Sequence, residues 1–320
     1  MDLVLRGADG TDIMLISPES AEFAYGDSEN DMEIRFPDSR YRPAFARWGY
    51  VFAPGTDYGG LVTRVASESG RVKWKGWTWS GLLANKVLVP DSGQDYLTVS
   101  GEANAVIGRL VERCGLAACM AASTENSRKT VGPFRFDLYT DAWTGIRKML
   151  ATVGCKLRIR HDGEKAVLSA VEIRDWSEDE AFDSDLVDVR VDVDYQPVNH
   201  LVCRGVDEKQ NRVSAELYAD DSGNVSETQT FKGVQERAEY YDFTTAERDK
   251  LVEDGTKRLR GYWEKAQTVR VELSASDDRF DIDDIVGGID SRTGIAAKAS
   301  ITKKVVTVDS MGNATVEYET

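Results

Sequence analysis

Over much of this chain apolar and polar residues alternate with the period of a strand, most clearly from Arg270 to the end. Val269, Val271 and Leu273 alternate with polar neighbours, and alternation is read again around Val305, Val308 and the closing Val316-Glu-Tyr318. Clusters of Asp, Gly and Ser interrupt the runs at Asp277-Asp278-Arg279-Phe280, Asp284 to Gly288, Ser291 to Gly294 and Asp309 to Gly312. β-branched runs between turn residues predict an antiparallel meander.

The same order of signals occurs near the N-terminus. Met32 to Phe36 reads as a strand, and Asp38-Ser39-Arg40-Tyr41 answers Asp277-Asp278-Arg279-Phe280. Tyr50 to Ala53 answers Asp284 to Gly287, Leu61 to Val65 answers Ile295 to Ala299, and Arg71 to Lys75 answers Ala314 to Tyr318. Two meanders with matching turns predict a divergent internal duplication of one β-unit. The shared Asp-x-Arg-aromatic tetrad makes Arg40 and Arg279 candidate core or interface residues.

Between these β-segments the period changes. Val106, Ile107, Leu110, Val111 and Cys114 share a helical face, with Ser100 as the expected cap and Gly115 as the stop. Trp143, Ile146, Met149, Leu150 and Val153 form a second stripe, begun by Thr140 and ended by Gly154. Cys155 to Arg160 and Ala166 to Ile173 predict a hairpin about His161-Asp-Gly163. A third helix is predicted from Thr244 to about Gln267, with Thr244-x-x-Glu247 as a capping box. Gly255 and Gly261 weaken it by about 1 kcal/mol each, so packing must hold it. Strands are further expected at 186–194, 196–205, 212–218 and 229–234.

The fold class is therefore α+β and β-rich: two similar antiparallel, barrel-like β-domains, an inserted α+β module and a long helix in the C-terminal half. The expected boundaries are 1–95 for the first β-domain, with 176–196 available to complete it, 96–175 for the module, 197–235 with 267–320 for the second β-domain, and 236–266 for a helical insertion. A length of 320 residues fits about two domains.

Charge narrows the partners. Forty Lys and Arg against 55 Asp and Glu leave −15. Such a surface does not grip nucleic acid, which needs clustered cations to displace counterions. No targeting signal is apparent, and the longest apolar run, near Cys114 to Ala122, is shorter than the ~18 residues of a membrane span. Four cysteines in a chain of this size predict reduced, buried thiols rather than a disulfide framework.

Catalytic material is sparse. The two histidines are His161, in a turn, and His200, in a strand. Cys114, Cys119, His200 and Cys203 supply zinc-type ligands, but packed thiols and a strand histidine are the preferred reading. Asp281-Ile-Asp283-Asp284 is half a calcium loop without its closing Glu, and reads as a strand edge protected by charge. Carboxylates are too abundant to single out a hydrolytic pair. Trp74, Trp77 and Trp79 form a cluster suited to core or subunit packing, and alternatively to stacking on a sugar or receptor. No catalytic residue, cofactor or metal is assigned.

Several segments resemble the tail-tip hub, or baseplate-hub, family of long-tailed bacteriophages, related in fold to the central hub of contractile tails. They are Trp77-Thr-Trp79-Ser-Gly-Leu-Leu-Ala-Asn-Lys-Val-Leu88, Val198-Asn-His-Leu-Val-Cys-Arg-Gly205, Leu217-Tyr-Ala-Asp-Asp-Ser-Gly223, and Asp283-Asp-Ile-Val-Gly-Gly-Ile-Asp-Ser-Arg-Thr-Gly294 with Ile301-Thr-Lys-Lys-Val305. The resemblance implies a non-enzymatic structural protein of the virion tail tip, assembled in the bacterial cytoplasm. It implies a homotrimer whose paired β-domains make a pseudo-six-fold ring under a tail tube or distal tail protein. The tape measure protein and DNA would pass its lumen without specific binding, and a tail fibre or receptor-binding protein would attach at the tip. An end at Thr320, just after the second β-unit, is expected for a bare hub. The alternative implied function is a carbohydrate- or receptor-binding tail module built on the tryptophans.

Overall fold

The computed structural model describes residues 2–36, 48–68, 71–177, 181–183, 188–207, 212–264, 266–275, 279–289, 292–294 and 296–320. The chain forms two compact units: Met1–Asp188 with Val271–Ser291 and Lys298–Thr320, and Val189–Arg270 with Arg292–Ala297.

The first unit begins with β1 (Leu3–Arg6) and β2 (Asp12–Ile16), joined through Ala8-Asp-Gly10. Then come β3 (Ser20–Gly26), β4 (Asp31–Phe36), β5 (Tyr50–Phe52), β6 (Gly59–Glu68), β7 (Arg71–Thr78) and the short helix α1 (Trp79–Ala84). The module follows as β8 (Thr98–Glu102), α2 (Ala103–Arg113), β9 (Met120–Ala122), β10 (Thr130–Arg135), α3 (Ala142–Ala151), β11 (Cys155–His161) and β12 (Ala166–Glu172), and after it comes β13 (Ala181–Asp183). The chain continues through β14 (Asp188–Val193), β15 (His200–Arg204), β16 (Ser214–Ala219), β17 (Val225–Ser226), β18 (Ala238–Asp242) and α4 (Arg248–Glu264). It closes with β19 (Gln267–Ala275), β20 (Ile285–Ile289), β21 (Ala296–Ser300), β22 (Lys303–Asp309) and β23 (Ala314–Glu319). This is a β-rich α+β fold.

In the first unit hydrogen-bonded neighbours run β19-β23-β22-β3-β4-β7-β6-β5-β1-β2, an open order among the described residues. A pairing order repeats in the two stretches, but not with every strand matched from sequence: β20, set against Tyr50 to Ala53, and β21, set against Leu61 to Val65, lie in a separate sheet with β13, and β22 takes the place beside β23. In the first, β4 pairs antiparallel with β7, and β7 with β6. In the second, β19 pairs antiparallel with β23, and β23 with β22. β3 lies between the sets, pairing with β4 on one side and β22 on the other.

Register carries the alternation across this sheet. Val316, Val306, Phe23 and Met32 lie opposite one another in succession, as do Val308, Ala21, Ile34 and Trp74, and all are buried. Each large apolar side chain fully withdrawn from water contributes about 1.5–3 kcal/mol. A one-residue slip would move the whole set to the wet face, so the pattern fixes the register.

In the module, β11 pairs antiparallel with β12, and β12 pairs parallel with β9. The helical stripes predicted for α2 and α3 are buried at Val106, Ile107, Leu110 and Val111 on one and Trp143, Ile146, Met149 and Leu150 on the other, while their last members, Cys114 and Val153, are only half-buried, so Cys114 is not the buried thiol expected. Gly115 and Gly154 follow the helices at φ +69°, the left-handed stop expected of them. The caps differ from expectation. Glu102, not Ser100, accepts from Ala105 N, and Asp141, not Thr140, accepts from Thr144 N. A carboxylate one or two residues further on reaches the free N–H groups with a full charge behind it.

In the second unit β17-β16-β15-β18 form a sheet, with β15 parallel to β18, and α4 packs against it. Leu201, Cys203, Ala215, Leu217, Leu251 and Leu259 form its core. The strand expected at 229–234 is instead a loop ending in a 3₁₀ turn at Gly233–Gln235, and β18, missed from sequence, takes the sheet position. α4 starts at Arg248 rather than Thr244, because Ala246 N bonds to Phe243 O in a turn before it. Gly255 has a packing reason. A Cβ there would lie 2.7 Å from Leu217 Cδ1 and 2.9 Å from Cys203 Sγ, so the helix can approach the sheet only without one.

Candidate functional site

A buried polar construction in the first unit lies where the module meets the strands. Trp143, in the first turn of α3, donates its indole N–H to Gly26 O at 3.0 Å. One turn on, Arg147 spans Asp27 and Asp283, with Nη2 2.6 Å from Asp283 Oδ1. Lys156 on β11 donates to Asp284 at 2.7 Å and Asp281 at 3.0 Å. Lys304 on β22 reaches Asp57 at 3.1 Å. Lys156, Asp284 and Lys304 are all buried. Asp284 accepts further bonds from the N–H groups of Arg174 and Asp281.

Burial works against a charge on Asp281, but Lys156 and Lys304 outweigh it, and its pKa falls below the ordinary carboxylate value. Burial likewise disfavours the Arg147 cation, and Asp283 and Asp27 more than restore it. The acids of the Asp281–Asp284 segment are thus counterions of buried cations. They do not guard a strand edge, as sequence had suggested: the segment is a loop before β20 whose carboxylates turn inward. Among the described residues no group of three or more His, Cys, Asp or Glu is placed to hold a metal ion.

A cleft of about 450 Å³ opens beside Trp79, lined by Arg6, Tyr50, Phe52, Cys119, His161 and Lys165 among others. His161 ends β11, stacked on Phe52 with ring centroids 3.7 Å apart. Its backbone exchanges bonds with Gly55 and Thr56. The Gly163 N–H points at Nδ1, which leaves the proton on Nε2 of a neutral ring. Burial, and then the Arg6 charge, push the His161 pKa down to about 4. Burial raises the Cys119 thiol and takes Tyr50 up to about 12. Near neutrality Cys119 and Tyr50 keep their protons and His161 is a neutral ring whose Nδ1 already accepts from the Gly163 N–H, so among the described residues of the cleft neither the thiol nor the phenol is ionised for attack.

The three tryptophans do not share an environment. Trp74 is buried on β7 with its ring edge-on to Phe36 at 4.9 Å. Trp77 points out, 41% exposed. Trp79 is buried at the start of α1 beside Tyr50 and His161, and its indole N–H has no hydrogen-bond partner among the described residues. A sugar laid on Trp77 would find neither of the other rings beside it. α1 itself was not foreseen. Thr78 caps it, and Gly81 passes so close to the strands that a Cβ would meet Asn30 O at 2.0 Å.

Arg40 lies outside the described residues, as do Asp277 and Asp278 of the second tetrad. Arg279 is exposed and lies over Phe280, 5.2 Å from the ring centre, while Phe280 packs edge-on against Tyr318 and Trp176. In the second unit His200 and Cys203 face opposite sides of β15. His200 bonds Glu236 at 2.6 Å and stacks on Tyr218, whereas Cys203 is in the core with its thiol pushed up to about 11 by burial. An odd spacing on a strand cannot bring both to one metal. Lys156, Lys304, Arg147 and Asp57 were not singled out from sequence. Lys304 did carry a signal, a lysine in phase with the inward Val306 and Val308.

No family model and no curated protein sequence matches the chain. Solved structures do. The 43 kDa tail protein of prophage MuSo2 from Shewanella oneidensis superposes with a TM-score of 0.58 at 12% identity, covering 100% of this chain and 98% of that one. Prophage tail protein gp18 from Listeria monocytogenes EGD-e gives 0.55 at 11% identity, covering 100% and 94%. This chain has a prophage tail-protein fold. A tail protein from Neisseria meningitidis MC58 gives 0.51 at 13%, covering 99% and 95%. At such identities the tail-protein fold is what is shared, and the module and both strand sets fall inside the shared length.

Proposed function

We propose that this chain is a structural tail-tip hub of a bacteriophage or prophage tail, without enzymatic activity. The observation that carries the reading is the repeated strand order, β4-β7-β6 and β19-β23-β22, within a fold shared end to end with prophage tail proteins. Two related β-units per chain are what three copies need to present six equivalent positions to a six-fold tail tube or distal tail protein, because closed rings demand repeated, compatible surfaces. We take β3 to β7 as the core of one tube domain and β19 to β23 as the core of the other, descended from one duplicated unit. The homotrimer would sit at the virion tail tip, assembled in the bacterial cytoplasm, with the tape measure protein and DNA in its lumen and a tail fibre or receptor-binding protein beyond. A net charge of −15 favours passage of DNA over its capture, since like charges repel within about 8 Å in physiological salt.

The test is native mass measurement and electron microscopy of the chain co-expressed with the neighbouring tube and distal tail proteins. A three-copy ring stacked on a six-copy ring is expected. A chain that stays monomeric and joins no tail protein removes the proposal.

A further inference from the structure

The second unit carries an aromatic groove that a structural hub does not require. It has a volume of about 630 Å³, inside the range of about 300–1,000 Å³ usual for ligand sites. Its apolar lining includes Tyr195, Phe231 and Trp263. The Phe231 and Trp263 rings lie near-parallel, 18° apart in plane with centroids 6.2 Å apart. Tyr195 is 86% exposed. A ring that open is free to take an apolar face of a partner.

The polar groups of the groove are uncommitted. Asp221, Ser222 and Arg260 line it, and among the described residues neither the Asp221 carboxylate, the Ser222 hydroxyl nor the Arg260 guanidinium has a hydrogen bond or ion pair. Asp194, by contrast, is already taken by Arg237 and the Gln196 N–H. The loop that presents Asp221 and Ser222 is pre-set, because Asp220 Oδ1 accepts from Ser222 N at 2.9 Å and Asn224 N at 2.8 Å. The far wall is fixed by Trp263, whose indole N–H donates to Val198 O at 3.1 Å.

We propose that this groove binds a pyranose chain of a polysaccharide. The C–H face of a sugar ring packs on aromatic faces, and its vicinal hydroxyls pair with a carboxylate and a guanidinium set at the rim. One free acid and one free base suit a neutral or zwitterionic sugar. They do not suit a phosphate backbone, which would meet Asp221 and Asp194 for one Arg260. The inference stands on the second unit alone and goes beyond the proposed structural role.

The experiment titrates the intact purified chain with three probes: peptidoglycan glycan strands, lipopolysaccharide O-chain, and a neutral α-glucan. Tryptophan fluorescence and saturation-transfer NMR report binding. Saturable binding of at least one probe is expected. Tyr195→Ala and Arg260→Ala should each weaken it roughly tenfold, and Asp221→Asn by several-fold, while Trp77→Ala leaves it unchanged. These positions are exposed, so the variants should keep wild-type circular dichroism and melting. No saturable binding to any probe overturns the proposal, as does binding indifferent to the groove substitutions or abolished by Trp77→Ala. Groove variants that spare sugar binding but lose a tail protein from co-purified particles would make the groove a protein joint, and the proposal falls. Ring formation is read separately, so failure here leaves the hub reading to its own test.

Discussion

The interior of the first unit near β11 and the interior of the second around β15 are held by different physics. Around β11 the buried groups are charged: Lys156 against Asp281 and Asp284, Lys304 against Asp57, Arg147 against Asp27 and Asp283. Around β15 they are hydrocarbon: Leu201, Leu217, Leu251 and Leu259, with Cys203 as a small apolar filler. Charges withdrawn from water recover little net stability, because desolvation consumes most of the attraction, but they accept only one arrangement of partners. Hydrocarbon stabilises in proportion to area and accepts many. Where segments distant in sequence must meet in one register, as 27, 57, 147, 156 and 281–284 do, the directional interaction is the one used. Where a helix only has to cover a sheet, area suffices.

Substitutions sharpen this contrast. The largest effect is expected at Lys156→Ala, which leaves Asp284 charged and buried without its cation and should cost about 3–5 kcal/mol. Adding Asp284→Asn, which keeps an oxygen for Arg174 N–H, should recover a good part of that loss. Urea unfolding followed by hydrogen exchange over β11 and β12 is the measurement, and a single-variant cost under about 1 kcal/mol would mean that the pair is solvated. Next is Leu201→Ala in the second unit, at about 2–5 kcal/mol, with exchange protection lost in β15 and β16 and no dependence on salt.

A pH effect of about 3 kcal/mol is expected from His161. Its folded pKa of about 4 lies below the ordinary 6.5, so between those values the unfolded chain binds the extra proton. Stability is therefore fully present above pH 6.5 and is lost as pH falls toward 4. His161→Gln should flatten the wild-type slope in that window, and an unchanged slope would assign it to other groups. The smallest effect is at Gly255→Ala. Helix propensity alone predicts a gain of about 1 kcal/mol, but the new methyl meets Leu217 and Cys203 and should produce a net loss of about 1–2 kcal/mol in thermal melts. A stabilised variant would show that α4 can ride further from the sheet.

Reading the chain residue by residue recovered elements with an uninterrupted period. The stripes of α2 and α3, the β11–β12 hairpin and the meander of β22 and β23 all repeat one spacing over several turns, and local chemistry stops them at Gly115, Gly154 and Gly312. It failed where the period breaks. Trp74 and Trp77 obey strand alternation, one in and one out, but Trp79 begins α1, and the phase that would have turned it outward no longer applies. The 229–234 segment has strand-forming residues and no place in the sheet, because β18 is already parallel to β15 there. The aromatic groove joins Tyr195, Phe231 and Trp263 from three separate segments, and no spacing along the chain announces it.

What the amino-acid order settled without help is which side chains avoid water and which stretches turn, since both depend on residues a few positions apart. The choice of partners belonged to the folded molecule: Lys304 with Asp57, Lys156 with Asp284, β3 between two strand sets. The reason is one of range. Burial is a property that each side chain carries with it, whereas an ion pair or a strand edge acquires its meaning only when chain from elsewhere arrives within a few ångströms.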